Sequence, residues 1–310
     1  MASDLPKLHS VAPQQQYQRS NKDIEIRKTI INPNILNDIF VGTPNKSDIA
    51  ESQRFFNHAK VKLEWTLADY DEIPDVKYNL LKSQISSTQA ALSTKRTFGI
   101  KPELLKTLPE VLLMGRTNAG KSTLLNSILG ARKNEPLAYV SSKAGFTKTM
   151  NSFRISNQLR LIDSPGYGKG GVESQGEMVL AYLNNRRRLK RVLLLVSSSD
   201  GFADEDLQLV RYLHERGIPV DIVFTKVDEL LKKFLRKELF KSANVESIKG
   251  ANQRIVEHYF RLVDESGLED LTAAPRFMFN NSQTNIFLSE LMGIKTIRCN
   301  LLRSCDCDLG

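Results

Sequence analysis

From Leu108 onward the chain alternates short apolar runs with longer stretches in which apolar residues recur every three or four positions. Val111–Met114 and Val192–Val196 are uninterrupted runs of strand length, and Val220–Phe224 is broken only by Asp221. Phe153–Ser156 and Gln158–Ile162 read as a hairpin turning about Asn157, and Arg276–Phe279 as a further strand. Helices are predicted over Lys121–Leu129, stopped by Gly130, and over Asp204–Arg216, with Leu207, Val210 and Leu213 on one face and Gly217 as cap. Further helices fit Glu229–Lys241, Glu246–Asp264 and Phe287–Ile297. Strands alternating with helices predict an α/β fold: a three-layer, mostly parallel sheet with one antiparallel hairpin strand and helices on both faces.

The pattern is weaker before Leu108. Residues 1–50 are punctuated by Gln, Ser, Asn and Pro, including QQQYQ at 14–18, and are expected to be disordered or a targeting segment. Residues 51–108 form an N-terminal extension. A helix and then a short strand fit Glu51–Leu67, Ile73-Pro74 reads as a break, and Val76–Leu92 has faint helical periodicity. The main domain is expected over 109–298, followed by a tail over 299–310.

Composition narrows the classes. With 310 residues, 41% hydrophobic and 25% charged, the chain suits a globular core, and no apolar run reaches the length of a membrane-spanning helix. A net charge of +9 favours an anionic partner such as RNA or an acidic membrane surface. Cys299, Cys305 and Cys307 all lie near the C-terminus, away from every histidine, so free thiols are expected rather than a disulfide framework or a metal site. The N-terminus lacks the apolar region of a secretory signal. Asp4, Asp23 and Glu25 stand against an Arg-rich presequence, and the segment's composition leaves targeting open.

Chemistry concentrates after the first strand of the main domain. Gly115, Arg116, Thr117, Asn118, Ala119, Gly120, Lys121, Ser122 and Thr123 spell GRTNAGKST. GxxxxGK[ST] between a strand and a helix is a phosphate cradle: backbone N–H groups wrap the phosphates, Lys121 reaches the β/γ oxygens, and the Ser122 hydroxyl meets Mg²⁺. This loop alone does not choose between ATP and GTP. Thr225-Lys226-Val227-Asp228 chooses, because it follows a strand and so lies at the sheet's carboxyl edge, where such sheets bind ligands. A carboxylate at 228 can accept both guanine N1–H and the 2-amino group, a donor pair adenine lacks. Asp163-Ser164-Pro165-Gly166 ends the hairpin: Asp163 is placed to hold Mg²⁺ and the Gly166 amide to sense a γ-phosphate. The glycines that follow suit a loop ordered by that phosphate. Between these motifs, Thr147 or Thr149 can close over Mg²⁺, and Thr147 is preferred because Ala144-Gly145-Phe146 precedes it.

Together these motifs resemble the EngB/YihA-type GTPases of the translation-factor-related class. The family's GRSNxGKS, DxPGYG and GIPxxxxxTKxD appear here as GRTNAGKS, Asp163–Gly168 and Gly217–Asp228. The family's PGxTQ appears as Ala144–Lys148, without its Pro and Gln, and the last guanine loop aligns with Asn280, Asn281 and Ser282 in place of Ser-Ser or Ser-Ala. The stretch from Glu51 to Trp65 is similar to one in eukaryotic, organellar members. The resemblance implies GTP/GDP as ligand with Mg²⁺ held by Ser122, Thr147 and Asp163. It implies GTP hydrolysis served by Lys121, Thr147 and Gly166, and guanine contacts from Thr225, Lys226, Asp228 and Asn280–Ser282. It also implies a monomer in the mitochondrial matrix (cytoplasm being the alternative) that acts on the large ribosomal subunit or its precursor, in assembly or in translation. From related GTPases with Asn at this loop position, Asn118 is expected either to hold K⁺ beside the phosphates or only to brace the loop.

Tyr167 stands where Ras-like proteins place their water-orienting glutamine, so hydrolysis is expected to be slow alone. A binding module whose hydrolysis is incidental is the alternative. Two cationic stretches, Arg186–Arg191 and Lys232, Lys233, Arg236, Lys237 and Lys241, are candidates for contact with rRNA.

Overall fold

A computed structural model describes residues 28–84, 97–131, 136–138, 149–168, 173–242, 245–281 and 283–307. Among them, seven strands form one sheet in the order β1-β3-β4-β2-β5-β6-β7. The strands are β1 (Val61–Leu67), β2 (Glu110–Gly115), β3 (Met150–Ile155), β4 (Leu159–Asp163), β5 (Leu189–Ser197), β6 (Val220–Thr225) and β7 (Phe277–Phe279). β3 runs antiparallel to both its neighbours, and all other pairings are parallel. The expected α/β sheet with one antiparallel strand, and its hairpin about Asn157, are therefore present.

A strand buried on both faces divides its side chains by a period of two. On β2, Leu112 and Met114 face one core while Val111 and Leu113 face the other. β5 splits likewise, with Val192, Leu194 and Val196 opposite Leu193 and Leu195. The first core is closed by α5 (Glu173–Asn185), α6 (Asp204–Glu215), α7 (Val227–Ser242) and α8 (Val245–Ser266). On α8 the buried Ile248, Ala251, Ile255, Tyr259 and Val263 recur at helical spacing. The second core is closed by α2 (Lys46–His58), α4 (Lys121–Leu129) and α9 (Ile294–Ser304).

The described residues depart from the sequence expectations at both ends. Residues expected to be disordered up to 50 include α1 (Pro33–Phe40), whose Asn32 side chain accepts from the Asn34 and Ile35 amides, and the start of α2. Pro74 does not end a helix but occupies the first turn of α3 (Pro74–Ser83), where its missing N–H costs nothing. The last helix starts at Ile294 rather than Phe287. The Asn285 carboxamide oxygen accepts from the Phe287 and Leu288 amides and holds them in a turn, so the helix opens only after Gly293. It then runs on through Cys299 to Ser304, so the first part of the expected tail is helix, packed through Leu301 and Leu302. Cys299 and Cys305 are buried free thiols.

The extension over 51–108 is part of the core. At the bulge between Leu63 and Trp65, Glu64 turns under the sheet to meet Arg160 (2.6 Å) and Arg154 (3.0 Å). Asp75 on α3 joins a buried group at the amino ends of β2 and β5. Arg186 Nε and Nη2 donate to the two oxygens of Glu110 (2.6 and 2.5 Å), Arg186 Nη1 donates to Asp75 (2.7 Å), and the Tyr182 hydroxyl donates to Glu110 (2.5 Å).

This network corrects the reading of Arg186–Arg191 as one RNA-facing surface. Arg186 is buried, Arg188 is half-buried with its guanidinium on Asp75 and Lys106 O, and Arg191 pairs with Asp221 at 2.8 Å. Only Arg187 and Lys190 are exposed. A buried acid stripped of its cation is destabilising by about 3–5 kcal/mol. Arg186→Ala is therefore expected to lower the unfolding free energy measured by urea titration by that order, while Arg187→Ala shifts it by no more than about 0.5 kcal/mol. Equal midpoints for the two variants would show that the Glu110–Asp75 network does not hold the fold.

Candidate functional site

The carboxyl ends of β2, β4, β6 and β7 deliver the predicted motifs to one edge of the sheet. After β2 the chain must leave the sheet within one residue. Gly115 does so at φ 151°, where a Cβ would come within 2.6 Å of Leu195 O. The loop then turns through Asn118 at φ 65° and Gly120 at φ 94° into α4, so the first amides of that helix point into the loop. Asn118 is exposed at the rim, and Ala119 is buried beneath it. Thr123 sits half-buried on the first turn of α4.

Lys121 is the buried charge of this cradle. Its Nζ donates to Gly115 O at 2.8 Å and Arg116 O at 3.2 Å, closing a ring on its own loop. Burial pushes its pKa down to about 8, opposed by Asp163. Asp163, at the end of β4, is equally enclosed, and burial pushes its pKa up to about 6 against the pull of Lys121. Its Oδ2 accepts from Ser122 Oγ at 3.3 Å, while Oδ1 is buried with no hydrogen-bond partner among the described residues. A lysine, a serine hydroxyl and a half-satisfied carboxylate around a ring of helix-terminal amides fit a polyphosphate with a hard divalent cation. Such a ligand would supply the anionic oxygens Lys121 lacks and the positive charge Asp163 lacks. When bound, the cation acts as a Lewis acid on the phosphate oxygens.

Gly166 lies against the loop: a Cβ there would meet Thr117 Cα at 2.9 Å and Lys121 Nζ at 3.0 Å. The Thr117 amide donates to Tyr167 O at 3.0 Å, and Arg116 and Tyr167 form an isolated bridge. The Tyr167 side chain faces away from that contact. It packs on the first core, and its hydroxyl donates to Asp206 Oδ1 at 2.6 Å. Asp206 also takes Arg116 Nε at 3.2 Å and the Ala203 amide at 2.8 Å, while Arg116 Nη2 donates to Gly201 O. Sequence reading missed Asp206. Its only local signal is an acidic residue in the first turn of a helix, which usually means a cap.

On the base side, Thr225 Oγ1 donates to Ala119 O at 2.7 Å, so the guanine motif and the phosphate loop share a bond. Lys226 takes φ 57°, and Asp228 is buried on the first turn of α7. The Asn280 amide donates to Phe224 O at 3.0 Å, and the Val227 amide donates to Asn280 O. The Asn281 side chain is turned into its own loop: Nδ2 donates to Gln283 O and Glu290 O, and Oδ1 accepts from the Met292 amide. It shapes the loop from within. Asn285, which the sequence did not single out, donates to Asp228 O at 3.2 Å. Gly145, Thr147 and Ser282 lie outside the described residues.

A family model described as 50S ribosome-binding GTPase matches residues 110–226. MIOREX complex component 8 of Saccharomyces cerevisiae is 36% identical over 278 residues, covering 87% of this chain and 79% of that protein. The probable GTP-binding protein EngB of Bacillus subtilis is 39% identical over 140 residues, 43% of this chain and 70% of its own. Its namesake in Streptococcus pyogenes serotype M5 is 44% identical over 128 residues, 40% of this chain and 63% of its own. Among solved structures, Aquifex aeolicus Era bound to GDP·AlF4− aligns over 64% of this chain and 57% of that one, with TM-score 0.43 and 19% identity. Sequence identity that runs from the N-terminal extension through the GTPase motifs, across most of both chains, is kinship: the protein belongs to the EngB-like family of GTP-binding GTPases.

Proposed function

We propose that the protein is a mitochondrial GTPase that acts on the large ribosomal subunit or its precursor, binding there in the GTP state and hydrolysing slowly on its own. The observation that carries the reading is the meeting of two sets of groups on one sheet edge. Lys121, Ser122 and Asp163 supply the phosphate and Mg²⁺ side, and Thr225, Lys226 and Asp228 the guanine side, with the Thr225–Ala119 bond between them. Ribosomal action is supported by the family description of a 50S ribosome-binding GTPase, by the relative named as a MIOREX complex component, and by exposed Arg187 and Lys190.

In this reading the loop amides and Lys121 hold the β- and γ-phosphates, and Ser122 and Asp163 hold Mg²⁺, with Thr147 closing over it. Gly166, packed on Thr117 and Lys121, moves as the γ-phosphate arrives. Slow hydrolysis follows from Tyr167, whose hydroxyl is committed to Asp206 and whose ring is committed to the core. No side chain at that position is left to orient water, so a partner or a cation must supply the missing stabilisation. Asn118, exposed in the left-handed region at the rim of the cradle, is the proposed K⁺ ligand.

Sedimentation with purified mitochondrial ribosomal particles tests the whole reading. Association is expected with a non-hydrolysable GTP analogue, not with GDP, and should weaken as salt rises because neutralised phosphates release counterions. No co-sedimentation in either state at low salt would refute it. Arg187→Ala with Lys190→Ala should weaken association and leave GTP affinity unchanged.

Nucleotide choice is tested by calorimetry. GTP and GDP should bind at least about 100-fold more tightly than ATP, and Asp228→Asn should remove that preference. Comparable GTP and ATP affinities in the parent would end the guanine assignment.

Matched potassium and sodium buffers test Asn118. Turnover should be faster in potassium, by about tenfold or more if the cation stands in for an arginine finger, and Asn118→Ala should abolish the difference. Equal rates in the two buffers would remove the ion from the mechanism.

A further inference from the structure

The base-side loop is held from outside the sheet by the N-terminal segment. β7 is the last strand, so its outer edge has no neighbouring strand among the described residues. α1 lies there instead. Asn37 is fully buried; its Nδ2 donates to Phe279 O at 3.0 Å and its Oδ1 accepts from Phe279 N at 2.8 Å. A carboxamide presents a donor and an acceptor side by side, as a strand residue does, so one side chain completes the ladder that the edge strand lacks.

The same helix reaches the other stem of the loop. Asn34 Oδ1 accepts from the Gly293 amide at 2.9 Å, where the loop ends and α9 begins. The two stems touch, since a Cβ on Gly293 would come 1.9 Å from Phe279 O. Phe40, at the end of α1, packs on Phe279 with ring centroids 5.0 Å apart and on Phe260 at 4.6 Å. α1 itself is anchored elsewhere. Leu36 is buried, the Ile31 amide donates to Asn252 Oδ1 at 3.0 Å, and Asn252 Nδ2 donates to Thr29 O at 2.7 Å. On its inner side the stem is bonded through Asn280 to Phe224 and Val227, which flank the motif and precede Asp228.

We infer that Asn37 is a positioning residue for guanine binding: α1 fixes the base-side loop against the Thr225–Asp228 motif and thereby sets the lifetime of the bound nucleotide. The inference rests on the proposed base contacts of Asp228 and the 280–281 backbone. Asn37 is bonded to the Phe279 backbone and not to the groups proposed to contact the base. The phosphate groups of the site stand on β2 and β4, with β5 and β6 between β2 and β7, so the clasp acts on the base end alone. GTP and GDP should therefore be affected alike.

Release of a fluorescent GDP from the full chain, followed by stopped flow, tests this. Asn37→Ala should release GDP about tenfold faster, the size expected from losing two neutral hydrogen bonds to one strand residue. Asn34→Ala, at an exposed position, should release it about threefold faster from the loss of one. The rate constant is read from folded, loaded protein, so partial unfolding lowers the amplitude and not the rate. For GTP hydrolysis KM should rise while kcat at saturation stays within about twofold of the parent, the split expected when only uniform binding is lost. If Asn37→Ala does not fold, Asn34→Ala decides. Asp228→Asn is run alongside. Parent-like release from Asn37→Ala and Asn34→Ala, with GDP lost by Asp228→Asn, would overturn the clasp and leave the guanine site standing. Parent-like GDP binding by Asp228→Asn would overturn both.

Discussion

The ammonium of Lys121, closed into a ring by two carbonyls of its own loop, is the constraint to which the rest of the site answers. A charge so enclosed is disfavoured, which is why its pKa falls to about 8, and it can be tolerated only if the surrounding scaffold is rigid. β2 supplies that rigidity. It has side chains in both cores, it is buried along its whole length, and β4 and β5 flank it in parallel. Asp163 arrives on β4 at the same height, in register with Leu113, and its carboxylate is as poorly solvated as the ammonium. Two opposite charges, each desolvated and neither fully paired, form a cavity shaped for a ligand that carries both signs. A triphosphate with a divalent cation is such a ligand.

The same edge shows how sequence and structure divide the explanation. Lys121, Ser122, Asp163, Thr225 and Asp228 were legible because each sits at a fixed offset from a strand end, and local spacing is what a sequence displays. The strands were legible because burial on both faces leaves continuous apolar runs, as in Val111–Met114. Arg186 was misread for the complementary reason. Five cations in six residues look like one face, but Glu110 lies 76 positions away and Asp75 lies 111 away, and nothing in the local pattern announces that they converge. The edge at Phe279 was closed to sequence reading in the same way. Asn37 stands 242 residues from its partner inside a segment whose composition suggests disorder. A buried carboxamide that mimics a strand has no periodicity to find.

Asparagine recurs around the base-side loop for one physical reason. The loop must cross from β7 to α9 without secondary structure, so its amides and carbonyls need partners that the backbone alone does not provide. Asn281 satisfies three of them, Asn285 two amides and the Asp228 carbonyl, Asn34 one and Asn37 two. Loss of any one leaves a polar backbone group unpaired, and the stems are bonded to Phe224 and Val227, so the error is not absorbed locally. At 281, a serine would be too short to make all three bonds, which gives a physical reason for asparagine there.

The phosphate side is held differently. Gly166 is pressed on Thr117 and Lys121 Nζ with no room for a Cβ. Tyr167, the next residue, is bonded to Asp206, which also holds Arg116 of the phosphate loop and the first turn of α6. Displacing Gly166 therefore pulls on a buried hydroxyl–carboxylate bond, and burial together with the Asp206 carboxylate keeps the phenol protonated for that bond. The base side is held through asparagine side chains, and the phosphate side through one buried carboxylate, Asp206, that joins Tyr167, Arg116 and the Ala203 amide. Under the proposed function, a movement of Gly166 would be carried through Tyr167 and Asp206 to the start of α6.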